Sequence, residues 1–268
     1  MHVDLLSLVF VRLEQRIQVK ISQCSAFIFN SPLTTITKLV DTEKLTQNLL
    51  KQRSIRNPKI LLWEGLRVLN VENNKKITQI PIDIAKTLEE LNARGDCGLD
   101  DQAFSSVHFI RLRKLDVENN EKITQIPPAI AGTLEELDAG WYCGLDNTSL
   151  ESAHFSRLKK LNIEYNKKIT QIPINIANTL EELDASYGCG LDDQAFSSVH
   201  FPHLKKLNVG FNKKITQIPM DIANTLEELN ATWDCVLDDI SLESVHFPLL
   251  RKLDVRYNNK ITRSSFGI

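Results

Sequence analysis

Residues 158–203 read LKKLNIEYNKKITQIPINIANT followed by LEELDASYGCGLDDQAFSSVHFPH. Both halves open on one frame: a leucine, a second leucine three places on, and a small or apolar residue two places after that. The block is therefore two units, of 22 and 24 residues. Outward from it, Leu66, Leu112, Leu158, Leu204 and Leu250 begin units of the first kind, 46 residues apart. Leu88, Leu134, Leu180 and Leu226 begin units of the second kind. Such self-similarity implies a stack in which each unit buries its apolar edge only against its neighbours.

In the first kind of unit, positions 1, 4, 6 and 12 are apolar and position 9 is asparagine: Asn74, Asn120, Asn166, Asn212 and Asn258. The second kind keeps leucine at 1, 4 and 12, puts alanine at 6, and carries Cys97, Cys143, Cys189 or Cys235 at position 10. The pattern L-x-x-L-x-L-x-x-N-x-x-I resembles the leucine-rich-repeat family from Leu66 to about Thr262. The resemblance implies an α/β solenoid. A curved parallel sheet would form the concave face, irregular or short helical segments the convex side, with a strand at positions 3–7 of each unit and an asparagine ladder inside. Strand alternation agrees, turning positions 4 and 6 inward and 3, 5 and 7 outward. Pro81, Pro127, Pro173 and Pro219 belong on the return limb, where no ladder needs their missing N–H. In the second kind of unit position 9 is Asp96, Tyr142, Gly188 or Asp234, so the inward polar role passes to the cysteine, with a bulge expected there.

Residues 1–58 lack the repeat and read as a small helical N-terminal cap, with the solenoid over 59–268. Leu5, Leu6, Val9, Phe10, Leu13 and Ile17 recur at helical spacing, and a second helix is expected from about Thr42 to Gln52. Lys59 to Trp63 reads as a first, irregular rung. The segment DLLSLVFVRL resembles the opening of an F-box, without that motif's usual proline and later tryptophan. That resemblance implies a ubiquitin-ligase scaffold as partner of residues 1–50.

The apolar run Leu5–Val11 is too short to span a bilayer and lacks the flanks of a signal peptide. A cytoplasmic, reducing location is therefore expected, against the sequons at Asn147 and Asn230. Net charge is −2, which makes no global case for nucleic acid.

The cysteine row invites a metal or disulfide reading. Stacked strands lie about 4.8 Å apart, so residues two units apart sit roughly 10 Å from each other. A disulfide needs Cα atoms within about 7 Å, and zinc ligands must converge on one ion. The thiols are expected to be buried, reduced spacers, with Cys24 unpaired. His108, His154, His200 and His246 fail as a metal set by the same distances. No metal, cofactor or catalytic residue is expected, and a resemblance of I-P-x-x-I-A-x-T-L-E-E-L to bacterial ubiquitin-ligase repeats brings no catalytic domain with it.

Three rows cross the open sheet face. At positions 2 and 3, bases of one unit meet Glu89/Glu90, Glu135/Glu136, Glu181/Glu182 and Glu227/Glu228 of the next, a self-neutralising zipper. Position 5 is always Asn or Asp, and Asp116, Asp138 and Asp184 are candidates for a basic ligand, a weakly held cation, or mere solvated repetition. Position 8 reads Trp141, Tyr165, Tyr187, Phe211, Trp233 and Tyr257 from the fourth unit on, after Asn73, Gly95 and Asn119. Exposed aromatic patches mark interaction sites. The competing reading is a self-stacked ladder that stiffens the turn. A lysine row beside it, from Lys76 to Lys260, leaves single-stranded nucleic acid as a minor alternative to a protein partner.

Overall fold

The computed structural model describes residues 38–39 and 65–262. Ten strands pair in chain order into one parallel sheet. They are β1 (Lys38–Leu39), β2 (Val68–Asn70), β3 (Glu90–Asn92), β4 (Lys114–Asp116), β5 (Glu136–Asp138), β6 (Lys160–Asn162), β7 (Glu182–Asp184), β8 (Lys206–Asn208), β9 (Glu228–Asn230) and β10 (Lys252–Asp254). The register is constant, so Leu115, Leu137 and Leu161 lie side by side on successive strands. The 22- and 24-residue units therefore absorb their difference outside the strands. The strand next to β2 is Lys38–Leu39. Both expected N-terminal helices, the F-box-like segment, Cys24 and the Lys59–Trp63 rung lie outside the described residues.

The strands occupy positions 3–5 and end sooner than the expected 3–7. Parallel hydrogen bonding nevertheless runs on to position 8: Val71 N–H donates to Asn92 O at 2.8 Å and Asn73 N–H to Arg94 O at 3.1 Å. Inside, leucines at positions 1 and 4 and the isoleucine or leucine at position 12 join Ile80, Ile126, Ile172 and Ile218 in one continuous core, against which Leu250, Leu253 and Ile261 of the last unit are partly buried. Phe104, Phe109, Phe155, Phe196 and Phe201 fill the wider second-kind units.

On the return limbs, Pro81, Pro127, Pro173 and Pro219 immediately precede four-residue helices, with φ between −57° and −59°. A residue lacking an N–H is well suited there, because a helix start has no partner for that group. In the second-kind units Asp100, Asp146, Asp192 and Asp238 are N-caps, each accepting the N–H of the residue three places on. The neighbouring residue ties the next unit: Asp101 Oδ1 accepts Thr124 N–H at 2.7 Å, and Asn147 Oδ1 accepts Thr170 N–H at 2.8 Å. These acidic pairs carry structural work that composition alone did not reveal.

The inward polar ladder alternates asparagine with cysteine. Asn120 Nδ2 donates to Ala93 O at 2.9 Å and meets Cys97 Sγ at 3.2 Å, and Cys97 Sγ–H itself donates to Ala93 O at 3.2 Å. Asn166, Asn212 and Asn258 repeat this with Cys143, Cys189 and Cys235. The thiol thus takes the polar role expected of it. Burial pushes the Cys143 and Cys189 thiols up to about 12, and the four cysteines among the described residues are free and buried. Such thiols are protonated and unreactive.

Candidate functional site

The Asn/Asp row at position 5 has a local job in every unit. Each side-chain oxygen accepts the backbone N–H two residues on, from Asn70 with Glu72 at 2.8 Å to Asp254 with Arg256 at 3.2 Å. Asp116, Asp138 and Asp184 do so with Glu118, Gly140 and Ser186 at 3.0, 3.1 and 3.0 Å. A carboxylate or amide closing a turn on its own backbone competes with strand continuation, which is why β2 to β10 stop at this position. The row also bonds sideways, Asn208 Nδ2 donating to Asp184 Oδ2 at 2.7 Å. Asp116 and Asp138 are register partners, as the spacing required.

Glu118, which the sequence reading did not single out, joins that pair. Ligand oxygens of Asp116, Glu118 and Asp138 lie within 4.8 Å of one another. Glu118 is buried and ion-paired to Arg94. Burial, with the Asp138 charge second, pushes Asp116 up to about 6 and Glu118 up to about 7, outweighing the Arg94 guanidinium. The position-7 side chain that creates this cluster points across the sheet face, a feature visible only once adjacent units are in register.

Position 8 has a backbone signature. All nine residues there lie in the left-handed region: Asn73, Asn119, Trp141, Tyr165, Tyr187, Phe211, Trp233 and Tyr257 at φ between 38° and 60°, and Gly95 at 69°. The first three units use residues that tolerate this conformation. At Gly95 a Cβ would also lie 2.3 Å from Asn73 Oδ1. The other six units place a bulky aromatic there, against a backbone penalty of roughly 1–2 kcal/mol each.

Those rings stack along the solenoid. Trp141 and Tyr165 centroids are 5.0 Å apart, Tyr187 and Phe211 5.4 Å, Phe211 and Trp233 5.6 Å, and Trp233 and Tyr257 4.2 Å. Trp141 Nε1–H donates to Glu164 Oε1 at 2.7 Å, and Tyr142 packs edge-on to Tyr165. Stacking contributes about 0.5–1.5 kcal/mol per pair, which offsets only part of the backbone penalty. Most faces within the row meet a neighbouring ring, Trp141 reaching Tyr187 at 6.3 Å and a 35° tilt, while among the described residues Tyr257 is stacked on one side only. Trp233 retains 45% of its surface and Tyr257 64%.

The zipper forms as its spacing required. Lys114, Glu136, Lys160, Glu182, Lys206, Glu228 and Lys252 make a continuous run of ion pairs between 3.1 and 3.7 Å. All its members are substantially exposed. A separate contact not anticipated from sequence puts His200 Nδ1 2.7 Å from Asp221 Oδ2 on the exposed return limb. No helix among the described residues is long and apolar enough to cross a membrane.

No family model matches the sequence, and no curated protein matches it at the level of sequence. Solved structures do resemble the fold. An internalin, inlF, from Listeria monocytogenes aligns with a TM-score of 0.57 at 22% identity over 85% of this chain and 62% of its own. The functional domain of InlJ from Listeria monocytogenes, which includes a cysteine ladder, aligns with a TM-score of 0.51 at 18% identity over 83% of this chain and 54% of its own. This chain thus spans less than two thirds of either. The parallel sheet, the one-residue-wide polar ladder and these likenesses agree: the chain has the leucine-rich-repeat solenoid fold.

Proposed function

We propose that the chain is a non-enzymatic scaffold that binds a protein partner along the aromatic edge of its sheet face. The observation that carries this reading is the run Trp141, Tyr165, Tyr187, Phe211, Trp233 and Tyr257, bulky residues kept in a left-handed backbone conformation, all but the half-buried Tyr165 exposed. Asn73 and Asn119 fill the same position without that penalty, so the turn itself does not call for an aromatic. Aromatic side chains with one surface packed and another exposed are the usual anchors of protein interfaces. Asp116, Asp138 and Asp184 flank the edge and, with much of their bonding spent inside the sheet, contribute orientation more than affinity. Face-to-face stacking disfavours single-stranded nucleic acid, which needs free ring faces. The four buried, unpaired thiols favour a reducing compartment for this activity.

The test is Tyr187→Asn/Phe211→Asn/Trp233→Asn, which keeps a residue suited to positive φ. Each change removes stacking and relieves backbone strain together, so unfolding by urea is expected to shift by no more than about 1 kcal/mol per site. Partner capture from lysate, quantified against the unaltered chain, is expected to be lost. Undiminished capture by a folded variant would overturn the reading.

A further inference from the structure

In the first second-kind unit, position 9 lies between position 10 of the preceding unit and position 11 of the following one. In the first such unit this position is Asp96, and two lysines clasp it: Lys75 Nζ at 2.5 Å and Lys122 Nζ at 2.7 Å. Those two ammonium groups hold the Asp96 carboxyl down at about 2. Two blocks on, the corresponding lysines are Lys167 and Lys214, but the residue between them is Gly188. Neither lysine forms an ion pair with any described residue, and both are exposed, as are their neighbours Lys168 and Lys213. The space is open: a Cβ at Gly188 would meet only Phe211 O, at 3.9 Å. Lys167 Nζ sits 5.5 Å from the Tyr165 ring centroid, so the charge borders the stacked aromatics directly. At Asp234, the remaining acidic position of this row, the backbone N–H turns to Tyr257 O and no ion pair with Lys213 or Lys260 forms. A clasped carboxylate is thus present at one end of the row and missing at its centre, where both cations remain.

We propose that this gap is a carboxylate-binding subsite, and that the partner presents an acidic peptide segment to the aromatic edge with one Asp or Glu side chain seated between Lys167 and Lys214. The inference rests on the partner-binding reading of that edge and adds the partner's chemistry to it. An incoming carboxylate reproduces the pairing seen at Asp96, while the exposed edges of Tyr187 and Phe211 cover the stem of the peptide. Exposed ion pairs add little affinity individually, so the lysines select and orient an acidic segment and the rings hold it.

The experiment is fluorescence anisotropy on the full chain with fluorescein-labelled Glu-Glu-Tyr-Glu-Glu-Phe-Glu, its counterpart with every Glu replaced by Gln, and labelled oligo-dT of the same length class. The acidic peptide is expected to bind about tenfold more tightly than the Gln peptide at low salt, with the difference shrinking as salt rises. Lys167→Ala/Lys214→Ala is expected to weaken it about threefold to tenfold. Gly188→Asp, which adds a negative charge beside both lysines, should do likewise. Gly188→Asn, equally compatible with the +62° φ, should bind as the parent does. Equal binding of the Glu and Gln peptides, indifference to the lysine or Asp substitutions, tighter binding of oligo-dT, or no binding of the acidic peptide would each overturn the subsite. If the subsite fails while the triple Asn variant still loses lysate capture, the aromatic-edge reading stands without it. If that variant keeps capture, the edge reading itself fails.

Discussion

At the scale of single residues, the acidic cluster on β4 and β5 is the point where the fold works against itself. Asp116 and Glu118 have carboxyls raised to about 6 and about 7, chiefly by burial. A raised carboxyl favours the protonated form in the folded chain, so the cluster's destabilisation is absent below about pH 4, where the unfolded chain is protonated as well. It grows as pH rises towards 7 and is constant above. Asp116→Asn keeps the turn bond, because asparagine already makes it at Asn70, Asn92 and Asn162. We expect Asp116→Asn to stabilise the chain at pH 8 by on the order of 1–2 kcal/mol and to have little effect at pH 4. Urea unfolding at the two pH values checks this; equal effects at both would refute the electrostatic account. The position-5 row as a whole shows why residue identity can mislead. Nine acids and amides look like a ligand-binding row, yet each is engaged by its own backbone.

At the scale of elements, the caps and the zipper divide unequally. Asp238 caps the Asp239–Glu243 helix in a reciprocal pair with Ser241, its Oδ1 accepting Ser241 N–H at 2.8 Å while Asp238 N–H donates to Ser241 Oγ at 2.8 Å. Removing a cap costs about 1 kcal/mol. Glu182 sits between Lys160 and Lys206 at 3.7 and 3.3 Å, but both lysines are exposed and Glu182 is only half-buried. Loss of an exposed pair costs roughly 0–1 kcal/mol. Asp238→Ala is therefore expected to lower the urea midpoint more than Glu182→Gln, even though Glu182 makes more ion pairs. The reverse order would mean that the zipper acts cooperatively.

For the whole molecule, the alternation of basic and acidic units sets which truncations can close. Deleting 158–203, a full block of 46 residues, sets Glu136 of β5 against Lys206 of β8 and keeps the pattern. Deleting 158–179, a single unit of 22, sets Glu135 and Glu136 against Glu181 and Glu182, and Asp138 against Asp184. Like charges directly opposite on neighbouring strands are destabilising. The longer deletion is expected to give the more stable protein by thermal melting at pH 8, although it removes more core. A solenoid's stability is close to a sum of unit and interface terms, and only the shorter deletion makes a repulsive interface. The opposite ranking would show that core length outweighs register charge.

Much of this was legible in the chain alone, because a solenoid's contacts are between units of known spacing. The 46-residue period settled the fold, the parallel strand order, the inward leucines, the zipper and the alternation of asparagine with cysteine, since periodicity and local sterics suffice for each. It also located the aromatic row. What it left undecided depends on which way a side chain or a backbone turns. The position-5 side chains fold back on N–H groups two residues on, so the strands end early. The position-8 backbone is left-handed, so the rings stack face to face. Glu118 swings to meet Asp116 and Asp138, and a Cβ at Gly188 would have only Phe211 O beside it. Those outcomes follow from a competition among backbone hydrogen bonds, burial and charge across neighbouring units, which only the packed tertiary structure resolves.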